Sequence, residues 1–188
     1  MLVYRVFPHV PSAPLGVPGH ASYLHSSGQK LGRLDNPTHY NVWYLSYTSC
    51  GAIGETFGSQ FTTWSNAMFD FPRLTGSKRA LATYNVPDDL SILNLDDAQN
   101  LLDRSMRPTQ VVERNRSATQ AWALRIFNER DDHGHRKWQG VEWWSFHRPQ
   151  WRILGLWAVS PRVVDVDDLD TKHHAVIDAA ATLQKVII

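Results

Sequence analysis

Apolar residues fall in short bursts along this chain, and the spacing inside each burst predicts whether it forms a strand or a helix. Leu2-Val3-Tyr4-Arg5-Val6-Phe7 and Val42-Trp43-Tyr44-Leu45-Ser46 have the β-branched and aromatic makeup of strands. So do the segments from Lys78 to Val86, Leu90 to Leu95, Val141 to Phe146 and Ile153 to Val159. Helical spacing is found where Ile53 and Phe57 stand four apart behind Thr48 or Ser49 as a cap. A longer helix is predicted from Ser117 to Arg130, where Ala118, Trp122 and Ile126 form a stripe with Ala123 and Phe127 beside it. Asp96 and Asp97 suit the start of a helix through Leu102, and a last helix is expected from about Thr171 to Gln184. Residues 8–31 carry Pro8, Pro11, Pro14 and Pro18 and resist regular structure. A loop of that length is often a lid or a binding element, and this one leads directly into Gly32-Arg33.

Length and charge narrow the function. A chain of 188 residues is expected to form one domain over residues 1–188, with a core that needs neither metal nor disulfide. Cys50 has no partner for an internal disulfide, and no secretory leader or run of roughly 18 apolar residues is seen. A cytoplasmic protein without a membrane role is the expectation. Lys and Arg number 19 against 18 Asp and Glu, so the chain lacks the basic excess that draws proteins to nucleic acid. Eight tryptophans are many, and Trp143, Trp144, Trp151 and Trp157 crowd one region, where a core is favoured over a ligand stack.

The residues with chemistry to offer are Arg33, in Gly32-Arg33-Leu34-Asp35-Asn36-Pro37, followed by Tyr44, Glu55 and Ser145. They set an arginine, an aromatic ring, a carboxylate and a hydroxyl at strand ends or on a short helix, as a phosphorylated ribosyl substrate requires. Taken singly, each has a structural alternative: a solvated arginine, a core tyrosine, an exposed glutamate and a turn serine. Together they resemble the RES domain family, named for its arginine, glutamate and serine. The resemblance rests on Gly32-Arg33 with Tyr44 eleven residues on, on Glu55 a further eleven residues on behind Ala52, and on the glycine-led strand Gly140 to Ser145, preceded by a helix containing Thr119-Gln120-Ala121-Trp122-Ala123. The family usually continues the arginine with Trp-Asn-Pro. Here the run is Leu34-Asp35-Asn36-Pro37, which sets Asn36 one place later.

The resemblance implies an α+β fold similar to ADP-ribosyltransferases: a split, twisted mixed or antiparallel β-sheet with flanking helices around an NAD pocket. It also implies a toxin that consumes NAD as its substrate, without a metal, and is neutralised by an Xre-like antitoxin. Some relatives transfer ADP-ribose to a protein acceptor instead. Cleaving the nicotinamide–ribose bond builds positive charge on the sugar, as in glycoside hydrolysis, and Glu55 would stabilise that charge through the ribose hydroxyls. The planar fork of Arg33 suits the pyrophosphate. Tyr44 would stack on the nicotinamide or donate from its hydroxyl, and Ser145 would hydrogen-bond the nicotinamide amide or the ribose. Ser145 is not read as a nucleophile, since no His and Asp pair is placed to activate it. Arg5 is either a second cation near the phosphates or a surface arginine at a strand edge. His147 and Arg148 either line the pocket or form a plain turn before Pro149.

Water, phosphate and a protein side chain all remain open as acceptors; a second cation beside the pocket would favour phosphate. A different class of reading makes Arg114, Arg116, Arg125, Arg130, Arg136 and Lys137 a basic surface for nucleic acid, against which the balanced charge argues. In another, the Trp-rich surface belongs to a catalytically silent interaction domain. His133 and His135 lack metal-ligand spacing, His173 and His174 point to opposite sides of a helix, and Cys50 has no identified base. Self-association is left open.

Overall fold

The structure, a computed structural model, describes residues 1–24, 29, 31–157 and 159–188. Its strands are β1 (Leu2–His9), β2 (Trp43–Ser46), β3 (Thr63–Trp64), β4 (Lys78–Asn85), β5 (Ile92–Asn94), β6 (Gly140–Trp144), β7 (Arg152–Leu156), β8 (Arg162–Asp168) and β9 (Val186–Ile187). The helices are α1 (Ser49–Phe57), α2 (Ala98–Leu102), α3 (Pro108–Val112), α4 (Arg116–Phe127) and α5 (His174–Thr182), with a 3-10 turn at Asn66–Phe69. Seven strands form one sheet in the order β5-β6-β7-β2-β1-β4-β8, and β3 pairs β9 in a small second one. All neighbours in the large sheet are antiparallel except β5 and β6. No helix among the described residues is long and apolar enough to cross a membrane.

One pairing is exceptional. β1 matches β4 over eight residue pairs and β2 matches β7 over four, yet β1 and β2 meet at a single pair, Tyr4 with Ser46. Beyond that vertex the strands diverge, which is the split sheet that the family resemblance implies. Strand β1 runs on through Pro8 to His9, past the end expected at Phe7. At that level β1 has β4 on one side and no partner in β2, so it behaves as the kind of edge on which proline is tolerated.

The alternation of side chains along β1, β2, β4 and β7 sorts the core into layers. Val3, Phe7, Trp43, Leu45, Ala82, Tyr84 and Leu154 pack on one face, under Ala21 from the long loop. That loop is pinned where Tyr84 Oη donates to the Ala21 carbonyl at 2.8 Å and where the Val10 N–H donates to Gly19 at 3.0 Å. On the other face lie two separate clusters. One joins α1 and α5 to Leu81. The other joins α4 to Val141, Trp143, Ile153 and Trp157, with Leu34, Tyr40 and Val42 of the segment before β2. The four crowded tryptophans are therefore largely core: Trp143, Trp151 and Trp157 are buried.

Thr48 caps α1 by accepting the Gly51 N–H at 3.1 Å, and Ile53 and Phe57 are fully buried on its inner face. The same helix lies so close to the indole of buried Trp151 that a Cβ at Gly54 would overlap the ring. Alanine in place of a helical glycine normally stabilises by about 1 kcal/mol. At Gly54 the overlap outweighs that gain, because overpacking a rigid buried site costs about 1–3 kcal/mol. Gly54→Ala is expected to lower the melting temperature by a few degrees, read by thermal unfolding at roughly 2–4 °C per kcal/mol for this size.

Candidate active site

The gap between the two clusters is a cavity of about 320 Å³ lying over the split. Tyr4, Arg5 and Val6 of β1 line one side of it, and Tyr44, Leu45 and Ser46 of β2 line the other. Helix α1 contributes Ala52, Glu55 and Thr56, the loop before β2 contributes Gly32 and Arg33, and α4 contributes Arg116. Because β1 and β2 are unpaired here, the cavity wall is the sheet's own opening.

Around Arg33 the chain is folded into a tight braced turn. The Asp35 carboxylate, 5% exposed, accepts the Gly32 N–H at 2.6 Å and the Tyr44 hydroxyl at 2.7 Å. The Tyr44 oxygen in turn accepts the Leu34 N–H at 2.8 Å. A side chain at Gly32 would collide with both Tyr44 and Asp35, so this position needs glycine. Asn36 braces the next residue pair by donating to Tyr40 Oη at 2.9 Å and to the Gln120 carbonyl at 3.0 Å. Burial, reinforced by the adjacent Asp35 charge, pushes the Tyr44 hydroxyl far above the usual tyrosine range. Its one proton is committed to Asp35. Of the two roles expected for Tyr44, donation to a ligand would have to compete with this bond to Asp35, and Tyr44 also lines the cavity.

Arg33 reaches across to the end of α3. Its Nη1 donates to the carbonyls of Val111 at 2.5 Å and Glu113 at 2.9 Å, and its Nη2 donates to Val112 at 3.4 Å. These bonds fix the guanidinium plane and leave Nε with no hydrogen bond among the described residues. Burial first, and then the like charge of Arg116, lower the Arg33 pKa to about 10, against the opposing pull of Glu55. A cation so placed gains from an incoming anion.

Glu55 stands on α1 opposite these arginines, with its carboxylate on the cavity wall. The Ser145 hydroxyl, 1% exposed, donates to Glu55 Oε1 in a short hydrogen bond. The N–H groups of His147 and Arg148 donate to Ser145 Oγ at 3.0 and 3.4 Å, which turns its proton toward Glu55. Ser145 therefore sits behind Glu55 and is not among the residues that line the cavity. His147 and Arg148 likewise contribute backbone to this turn, not side chains to the cavity wall.

Arg5 lines the cavity at the point where β1 leaves β2. It is half-buried, lies over the Trp43 ring at 5.0 Å and donates to the Tyr23 carbonyl at 3.4 Å. Among the cavity residues that the sequence reading did not assign to this site, three have side chains suited to a ligand. Trp143 and Phe146 line the cavity, Phe146 being 56% exposed with Arg114 stacked on it at 5.1 Å. Arg116 is the third. A legible signal was its position in the first turn of a helix, where a cation is disfavoured by the macrodipole. Of the basic surface considered for nucleic acid, Arg116 faces this cavity, while Arg130 and Arg136 both bond the Phe127 carbonyl. No group of three or more His, Cys, Asp or Glu suited to a metal is found among the described residues.

Comparison with known proteins bears on this geometry. No curated protein matches the sequence. A chain of the crystal structure of the M. tuberculosis MbcT–MbcA toxin–antitoxin complex superposes with a TM-score of 0.56 at 15% identity, covering 90% of this chain and 84% of that one. This chain therefore shares the fold of that chain, an α+β arrangement whose large sheet is split between β1 and β2. The family model for the RES domain matches residues 2–178, so this chain belongs to the RES domain family.

Proposed function

We propose that the cavity binds NAD and cleaves its nicotinamide–ribose bond, and that the protein is a toxin that depletes this cofactor. The observation that carries the reading is the Glu55 carboxylate, held by Ser145 on one oxygen and facing the cavity, with Arg33 and Arg116 across from it. Its Oε2 makes no hydrogen bond among the described residues, which leaves it for the hydroxyls of the nicotinamide-side ribose. Nicotinamide departs with the bonding electron pair as a neutral base, and charge develops at C1′. A fixed carboxylate beside that charge lowers the barrier most where water is scarce.

In this reading Tyr44 and Trp143 present ring faces to the nicotinamide, and Arg33 and Arg5 hold the pyrophosphate. Arg116 is a further cation beside the pocket, and it supports inorganic phosphate as the acceptor. A phosphate oxygen then bonds C1′ as the C–N bond breaks, giving ADP-ribose 1″-phosphate and free nicotinamide. Ser145 is a positioning residue. Ser145→Ala is expected to reduce kcat for nicotinamide release about ten- to a hundredfold while KM moves little, because only the orientation of Glu55 is lost.

Such an enzyme requires restraint in the cell that makes it. We infer a neutralising protein partner that covers the cavity mouth, of the Xre-like kind implied by the family. The decisive experiment incubates the purified protein with NAD and follows nicotinamide by chromatography, with and without phosphate. Phosphate-dependent release supports phosphorolysis, and release without phosphate supports hydrolysis. Label from NAD appearing on added protein identifies the transferase alternative, and no release under any condition overturns NAD cleavage.

A further inference from the structure

The turn that leads from Ser145 into β7 is fastened to α1 at more points than the Glu55 hydrogen bond. It closes on itself where the Ser145 N–H donates to the Trp151 carbonyl at 2.7 Å and the Trp151 N–H donates to the Arg148 carbonyl at 2.9 Å. The indole of Trp151 lies against Gly54. One helical turn further on, the imidazole of His147 lies against Gly58, where a Cβ would stand 3.0 Å from its Cε1 and Nδ1. Gly58 continues the helical backbone just past Phe57, so the two glycines, four apart, share one face and leave room for both rings.

His147 also shares a hydrogen bond with Ser59, between its Nε2 and the Ser59 Oγ at 3.3 Å. Its ring is held at the helix end while its own N–H donates to Ser145 Oγ at 3.0 Å. One residue therefore joins the end of α1 to the hydroxyl that holds Glu55. The join matters because Glu55 lies in the last turn of α1, and element ends open more readily than their middles. Phe146, between Ser145 and His147, is 56% exposed, so little packing of its own holds this stretch down.

We propose that His147 is a positioning residue. By locking the turn to the end of α1 through Gly58 and Ser59, it fixes the direction in which Ser145 presents its proton, and with it the Glu55 carboxylate. His147 is not among the residues that line the cavity, so its effect is transmitted through Ser145. This rests on the reading of Glu55 as the group that stabilises the sugar cation.

Two measurements test it, on His147→Ala, His147→Gln and Ser59→Ala, each checked for folding by thermal melting. His147→Ala is expected to lower kcat for nicotinamide release from NAD about tenfold with KM within about twofold, because a misdirected carboxylate weakens the transition state and not the encounter. His147→Gln, whose amide can donate to Ser59 or accept from it, is expected to restore most of the rate. Ser59→Ala, at an exposed residue, is expected to lower kcat about threefold and to add little to His147→Ala when the two are combined, since both break one link. A loss that falls equally on kcat and KM, no recovery with glutamine, or additive losses overturns the positioning role.

The second measurement needs no turnover. Amide hydrogen exchange at positions 147 and 148, followed by NMR, reports whether these N–H groups stay bonded to Ser145 Oγ. Exchange at both is expected to be severalfold faster in His147→Ala and in Ser59→Ala, and exchange at the wild-type rate overturns the clamp. Absence of nicotinamide release from the wild type overturns the cleavage reading instead, and the exchange rates then decide the clamp by themselves.

Discussion

Glu55→Gln is expected to reduce nicotinamide release from NAD by about 10²–10³-fold, the usual loss when one preorganised electrostatic contact to a transition state is removed. The amide keeps a carbonyl oxygen that can accept the Ser145 proton, so the local hydrogen-bond frame survives while the negative charge is lost. Glu55 is exposed on α1, and nothing in the core depends on it, so the melting temperature should be close to wild type. The loss belongs in kcat, because the carboxylate matters most when charge appears on the sugar. Single-turnover kinetics with NAD separates that from a binding defect. A variant that turns over at the wild-type rate would show that Glu55 does not carry the reaction.

The second large effect is expected at Asp35, which does not line the cavity that holds Glu55. Asp35→Asn keeps the shape of the side chain but offers an NH₂ group where one carboxylate oxygen accepted a proton. Either the Gly32 N–H or the Tyr44 hydroxyl then faces a donor in a buried position. Leaving one such group unpaired costs about 1–3 kcal/mol. At roughly 2–4 °C per kcal/mol the melting temperature should fall by several degrees. The same turn holds Arg33 on the cavity, so KM for NAD should rise as well. Unchanged stability would mean that the Gly32-to-Asp35 turn does not depend on its carboxylate.

The strands and helices were legible where local chemistry decided them. Thr48 in front of Ile53 and Phe57 specified α1 through a cap and a buried face, and the structure uses both. The stripe at Trp122, Ala123, Ile126 and Phe127 specified α4 in the same way, though Thr119 is buried with it where Ala118 was expected. Short elements were legible where a cap or an apolar run marked them, as at β5 and α2, and others were not. Strand β8, Arg162–Asp168, alternates valine with aspartate at the sheet edge, and its strand identity comes from pairing with β4, not from any apolar run. Helix α3 is five residues long, too short to carry a period, and it is anchored from outside by Arg33 on its last carbonyls.

For the site, spacing along the chain brought forward Arg33, Tyr44, Glu55 and Ser145, because each is tied to its own strand, turn or helix. What each side chain does there depends on neighbours distant in sequence. Ser145 reaches Glu55 across 90 positions, and Arg33 reaches Val111 across 78. The Tyr44 proton is taken by Asp35, a residue without evident chemistry in the sequence. By itself the sequence determined the local elements, the balanced charge and the family pattern, since those follow from short-range periodicity and residue type. The tertiary structure alone decided which side chains face the cavity. It paired β1 with β2 at one residue only, and the cavity that brings Arg5, Arg33, Glu55 and Arg116 together lies over the split this opens. The physical reason is that a split is a pairing left unmade between strands some forty residues apart, and no local pattern of residues records a missing hydrogen bond.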